Sequence, residues 1–202
     1  PAAPAIVSTG IYTGDVYYRT TERAQEIAAK YATNEEKALE LFEKAYAEYA
    51  DQYPNGLVSV EYIYFEGQED QKRQAEILQE SLENLFGKDR FELTLRAMPP
   101  ASAYDAYRVG DYDLGLGVRL ANNFNPWATM NVWTTTYADP YQTGFASEEF
   151  DSLQFNSMYV DIATDMEAKI EALARMEEML LEYGAFCPVM QNDNCVMYHE
   201  RI

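Results

Sequence analysis

Histidine is nearly absent from this 202-residue chain, with His199 its one example, and cysteine appears twice, as Cys187 and Cys195. A structural zinc site needs several such ligands at short spacing, so none is expected. Basic residues are also scarce, 15 against 34 acids, for a net charge of −19. That imbalance repels phosphate backbones and anionic lipid, which argues against nucleic-acid or membrane-surface partners. No stretch approaches the ~20 apolar residues a membrane span requires. No basic, apolar, small-residue series opens the chain in the manner of a signal peptide. Neither a GxxxxGK[ST] phosphate loop, a GxSxG elbow nor a DxDxDG calcium loop occurs. Gly115-Leu116-Gly117 supplies half a dinucleotide fingerprint and stops there. A Ser-His-Asp arrangement would have to use His199, and no pair of carboxylates is singled out for glycosidase work. The chain is read as a non-enzyme with no metal and no cofactor.

What is present is a globular composition, 48% apolar, with 17 tyrosines. Tyr pairs a large apolar face with a hydroxyl and loses little entropy on binding, which suits a recognition surface; half-buried strand positions are the favoured account. Residues 1 to 20 have no helical period and read as an extended lead-in. A short helix is expected from Thr21 to about Ala32. A stronger one, capped by Thr33 or Asn34, has Ala38, Phe42, Ala45 and Tyr49 on its apolar face and ends at Pro54-Asn55-Gly56.

LVSVEYIYF (57 to 65) is β-branched and aromatic, hence a strand. The next segment is amphipathic, with Ala75, Leu78, Leu82 and Leu85 on one stripe and Gly87 as its stop. FELTLRA (91 to 97) alternates strictly, as a second strand does. Strand, helix and strand with short joints predict a parallel pair with a right-handed crossover. A helix over about Ser102 to Arg108 then leads into YDLGLGV as a third strand. The segment to Phe145 reads as irregular and aromatic. Helices are expected from Ser147 and from about Asp165 to Tyr183, the latter presenting Met166, Ile170, Leu173, Met176, Leu180 and Tyr183. CPVMQ and NCVMY are expected as closing strands. Cys187 and Cys195 could pair as a disulfide in an extracellular chain, but in a tight hairpin turning at Asn192-Asp193 Met190 rather than Cys187 faces Cys195, so two separate, mostly buried thiols are expected. One α/β domain results.

Residues 112 to 133, YDLGLGVRLANNFNPWATMNVW, hold only Asp113 and Arg119 as charged groups in a chain crowded with carboxylates. Either a strand feeding a ligand loop or a plain strand and turn fits that pattern. YRVGDYDLGLGVRLANNFNPWATM resembles the hallmark of family 5 solute-binding proteins, the dipeptide and oligopeptide receptors of ABC importers. Members tend to read gdfDl, a few small residues, then gWgaDYpDP. Aligned without a gap, Asp113-Leu114, Ala121 and Pro126 match. EEKALELFEKAYAEY is similar to the family's dpekAkelLkea helix, TGFASEEFDSL to its ygnfsnpeyDkLi box, and EALARMEEMLLEYGAFCPVMQ to R.al..aEkillee.apviPly. Together with the strand, helix and strand of 57 to 97, the likeness covers roughly residues 15 to 200.

The resemblance implies a three-layer α/β lobe with a mixed, largely parallel sheet flanked by helices, of the type II periplasmic-binding-protein kind. It implies the C-terminal lobe of a two-lobed receptor, with the N-terminal lobe and a returning tail expected outside a chain that begins at Pro1. It implies peptide delivery to the membrane subunits of an ABC importer, outside the cytoplasm, lipid-anchored or periplasmic. Arg119, Asn122, Asn123, Asn125, Trp127 and Trp133 become the candidate ligand contacts. In peptide-binding members the Asp of aDY pairs with the ligand's α-ammonium; here Asn122 stands there, Asn125 replaces the acid of pDP, and Arg119 replaces the preceding Trp. An Asn still accepts a hydrogen bond but supplies no charge, which weakens the hold on a free amine. Arg119 either faces the cleft, where it favours a carboxylate, or turns outward to a surface acid. An oligosaccharide, another polar solute, or a sensing or adhesion lobe without a transporter stand as alternatives.

Overall fold

The computed structural model describes residues 6–7, 12–13, 16–117, 125–137, 139, 141–184 and 186–189. In chain order the elements are β1 (Tyr12–Thr13), β2 (Val16–Tyr17), α1 (Glu22–Lys30), α2 (Glu35–Tyr49), β3 (Val58–Phe65), α3 (Glu69–Phe86), β4 (Phe91–Met98), α4 (Pro100–Val109), β5 (Leu114–Gly115), α5 (Pro126–Met130), α6 (Glu148–Tyr159) and α7 (Met166–Tyr183). They belong to two compact units. The helical unit takes the described residues up to Ala32, from 125 to Tyr137 and from Phe145 onward; the sheet unit takes Thr33 to 117 and the short segment at 139–144.

The sheet unit is built on the expected parallel pair. β3 lies between β4 and β5 in a three-stranded sheet, Val58 opposite Phe91 through Phe65 opposite Met98, with Tyr62 opposite Leu114 on the other side. All described pairings in this sheet are parallel. The alternation of FELTLRA is realised: Phe91 and Leu93 are buried while Glu92, Thr94 and Arg96 face solvent. β4 is an edge, and α3 attends to its unpaired backbone. Gln79 donates to the Leu93 carbonyl and Glu83 accepts from the Leu93 N–H. Ala75, the first residue of the predicted stripe, is fully buried, Leu78, Leu82 and Leu85 are half-buried, and α3 ends at Gly87, whose φ of 90° suits glycine.

Two expectations change here. YDLGLGV contributes two strand residues, Leu114 and Gly115, because Asp113 turns its carboxylate to the Glu61 N–H at 2.9 Å instead of continuing the ladder. α2 has Asn34 as its cap, accepting from the Lys37 N–H at 2.9 Å, but buries no residue fully. Its inward contacts are Phe42, stacked on Phe86 at 4.3 Å, and Tyr46, bonded to the Gly56 carbonyl. Ala45 and Tyr49 of the expected face are exposed.

In the helical unit α7 is the axis. Leu173, Met176 and Leu180 of its predicted stripe are fully buried, while Met166 and Tyr183 at its ends are exposed. Around it gather Ile27 of α1, Trp127 and Met130 of α5, Trp133, and Phe150 of α6. The helices start where the sequence placed them, with Ser147 and Asp165 as caps, Ser147 accepting from the Phe150 N–H and Asp165 from the Ala168 N–H. The described part of the lead-in is more ordered than an extended strand. β1 and β2 pair antiparallel, and a 3₁₀ turn at Tyr18–Thr20 drops Tyr18 into the core. At the other end, residues 187 to 189 of CPVMQ form no strand, and Cys187 is an exposed free thiol rather than a buried one. Cys195 and NCVMY lie outside the described residues.

Candidate functional site

Arg119, Asn122 and Asn123 lie outside the described residues; Asn125, Trp127 and Trp133 lie within them. Asn125 caps α5, its side-chain oxygen accepting from the Ala128 N–H at 3.0 Å, and Pro126 fills the first helical position, where the missing N–H costs nothing. That corner swings Trp127 inward. Its indole is 4% exposed, donates to the Lys169 carbonyl at 2.8 Å, and lies under the Lys169 ammonium at 4.2 Å from the ring centre. Gln154, itself buried, donates to the Trp127 carbonyl. Trp133 is 5% exposed and meets Phe186 edge-on. Both indoles belong to the core of the helical unit, so the Asn-Pro-Trp corner anchors the chain that emerges from residue 124.

The residue that sequence reasoning passed over in this unit is Glu177, which is fully buried. Its carboxylate accepts from the Val7 N–H at 2.8 Å, from the Tyr18 hydroxyl at 3.0 Å and from Arg19, whose Nε donates in turn to the Val7 carbonyl at 2.8 Å. Both backbone polar groups of Val7 are thus held by one buried ion pair. Burial, reinforced by the Glu177 charge, pushes the Tyr18 phenol far above its ordinary pKa, so it stays a donor. A sequence signal existed. Leu173, Met176, Glu177 and Leu180 follow an i, i+3, i+4, i+7 pattern, which puts Glu177 on the apolar stripe.

In the sheet unit, open parallel sheets bind ligands outside the carboxyl ends of their strands. The strand ends here are Phe65, Met98 and Gly115, and aromatic side chains crowd that edge. Tyr104 lies 5.5 Å from Phe65 and 5.9 Å from Tyr107, ring centre to ring centre; Tyr107 meets Tyr112 edge-on at 4.8 Å and Tyr141 at 5.6 Å. Tyr141 comes from the 139–144 segment, pinned by the Tyr112 hydroxyl donating to the Tyr141 carbonyl. Asp139 ties that segment together, accepting from the N–H groups of Tyr141 and Thr143 and from the Thr143 hydroxyl. Tyr107 is fully buried, its hydroxyl has no hydrogen-bond partner among the described residues, and burial raises its pKa. Its ring lies directly on Gly115, where a β-carbon would stand 2.5 Å from the ring. The tyrosine abundance therefore divides between core and edge.

The arrangement, a three-stranded parallel sheet flanked by helices together with a helical unit, is the lobe fold of solute-binding proteins. The crystal structure of a peptide-binding protein of a peptide ABC transporter matches at a TM-score of 0.66 and 19% identity, over 91% of this chain and 74% of that one. The pheromone receptor PrgZ, solved for its mode of peptide binding, matches at 0.69 and 16% identity over 91% of this chain and 32% of its own. Haemophilus influenzae OppA in complex with RPPGFSPFR matches at 0.62 and 21% identity, over 89% and 31%. The chain thus spans about three quarters of the first and about a third of the other two. No family model and no curated protein matches the sequence.

Proposed function

We propose that this chain is a ligand-binding lobe of an extracytoplasmic solute-binding protein that delivers peptides to the membrane subunits of an ABC importer. The observation that carries this is the fold likeness to peptide-binding proteins over some nine tenths of the chain. The motif order in the sequence, from GDYDL to the Asn-Asn-Phe-Asn-Pro-Trp corner, supports it independently. Both units form one C-terminal lobe, and an N-terminal lobe of the same protein supplies the facing half of the site. Function is closure on a ligand rather than chemistry, with the transporter recognising the closed state. Among the described residues no helix is long and apolar enough to cross a membrane. The protein works outside the cytoplasm, free in a periplasm or held at the surface by a lipid anchor.

Arg119, Asn122 and Asn123 make the ligand contacts in this reading, and Asn125, Trp127 and Trp133 support them by fixing the chain just beyond. Asn in place of the family's acid at 122 favours a second ligand class, an oligosaccharide or other polar solute without a free amine. Native mass spectrometry of the complete protein, purified gently, separates the two. Bound masses spaced at amino-acid increments are expected; a sugar-like mass would overturn the peptide assignment. Asn122→Asp is expected to tighten free-amine peptides by roughly tenfold, the worth of adding charge to one hydrogen bond. Unchanged affinity in calorimetry would remove Asn122 from the anchor position.

A further inference from the structure

We propose that the tyrosine cluster at the carboxyl edge of the sheet is a side-chain subsite for an aromatic or large apolar residue of the bound peptide. This rests on the peptide reading above. Tyr104 and Tyr141 form its wall, and Tyr107 is the positioning residue behind them.

Three observations converge. The cluster stands where the strands end, with Phe65 closing β3 and Tyr104 in the first turns of α4, immediately after β4. Its half-buried members, Tyr104, Tyr112 and Tyr141, present aromatic surface, and the carboxylate of nearby Asp139 is taken up by the N–H groups of Tyr141 and Thr143 and by the Thr143 hydroxyl. Aromatic rings packed edge-on leave faces and edges suited to another ring. Tyr107 is held without help from its hydroxyl: that group is buried and unpartnered among the described residues, so shape alone seats the ring on Gly115. The 4.8 to 5.9 Å ring contacts from Tyr107 to Tyr104, Tyr112 and Tyr141 transmit its position to the wall. Gly115 is the permissive element. Any side chain there collides with the Tyr107 ring at 2.5 Å and displaces it.

The test uses the complete protein and six probes: penta-alanine and the five pentapeptides that carry one Phe in its place at each position in turn. Wild type is expected to prefer one Phe peptide over penta-alanine by roughly tenfold or more, the gain from burying one aromatic side chain. Tyr104→Ala and Tyr141→Ala should erase that ratio while penta-alanine still binds, and Tyr104→Phe should restore it. Tyr107→Leu should lower the ratio with the melting temperature accounted for separately, since a merely structural role would weaken all six peptides alike. A preference that survives Tyr104→Ala, or a wild type that binds all six equally, overturns the subsite and leaves the peptide reading standing. A wild type that binds none of the six overturns the peptide reading and the subsite with it.

Discussion

In the helical unit a fully buried carboxylate, Glu177, is met by Arg19, Tyr18 and the Val7 N–H, and among the described residues Arg19 Nη1 is the one buried atom of this network without a partner. In the sheet unit a fully buried tyrosine, Tyr107, has a hydroxyl without a hydrogen-bond partner among the described residues. A buried charge without partners costs several kcal/mol, so the first arrangement survives only as a near-complete set. A buried neutral hydroxyl costs about 1–3 kcal/mol, which a well-packed ring offsets. The contrast teaches where each unit tolerates change. The helical unit holds a buried polar network around Glu177, whereas at Tyr107 the sheet unit relies on the fit of a ring, and that position accepts loss of the hydroxyl as long as the ring is kept.

The largest expected effect tests the network. Glu177→Ala strands Arg19 in the core and should destabilise the protein by about 3–5 kcal/mol. Hydrogen exchange should show protection lost in α1, α6 and α7 and kept in β3 and β4; equal loss in both units would end the distinction. Tyr107→Phe runs the other way. It removes an unpartnered hydroxyl while keeping the ring, so denaturant unfolding should show no loss and up to about 1 kcal/mol of gain. A loss of that size would mean the hydroxyl is satisfied in solution and that shape is not the whole account.

The smallest effect is acid sensitivity of the helical unit. Its hydrogen bond to Lys30, aided by Arg23, holds Glu178 below the usual carboxylate range, and Arg175 does the same for Glu149. Groups lowered on folding contribute stability that is fully present above their unfolded pKa and is lost as pH falls through their folded values. Lys30→Met should therefore move the acid-unfolding midpoint upward only slightly, because the lysine is half exposed and solvent screens the pair. An unmoved midpoint would assign the acid limit to other carboxylates.

The parallel pair β3 and β4 was readable because local pattern decided it: β-branched residues, strict alternation, and a capped amphipathic helix between them. α7 was readable for the same reason. The sites were harder. Nothing in Asn-Pro-Trp separates an indole that contacts a ligand from one turned into a core, since both need a large amphipathic ring at a corner; the Lys169 carbonyl that receives Trp127 lies 42 residues away. β5 was overestimated because the pattern of YDLGLGV cannot show Asp113 turning to cap Glu61. The tyrosine cluster draws on residues from 104 to 141, and only the fold brings Tyr141 beside Tyr104. Glu177 was hidden by abundance. In a sequence with 34 acids, one that falls on an apolar stripe looks like its exposed neighbours.

The clamp on Val7 also has a mechanical side. Its N–H and its carbonyl are gripped by two side chains of opposite charge, and its own side chain is 3% exposed in the core. A pull applied to the backbone at Ile6 meets these contacts together, loaded at once, and does not peel them one at a time. The tension passes straight into α7 through Glu177, so the longest helix of that unit would act as the fixed post to which the preceding chain is moored.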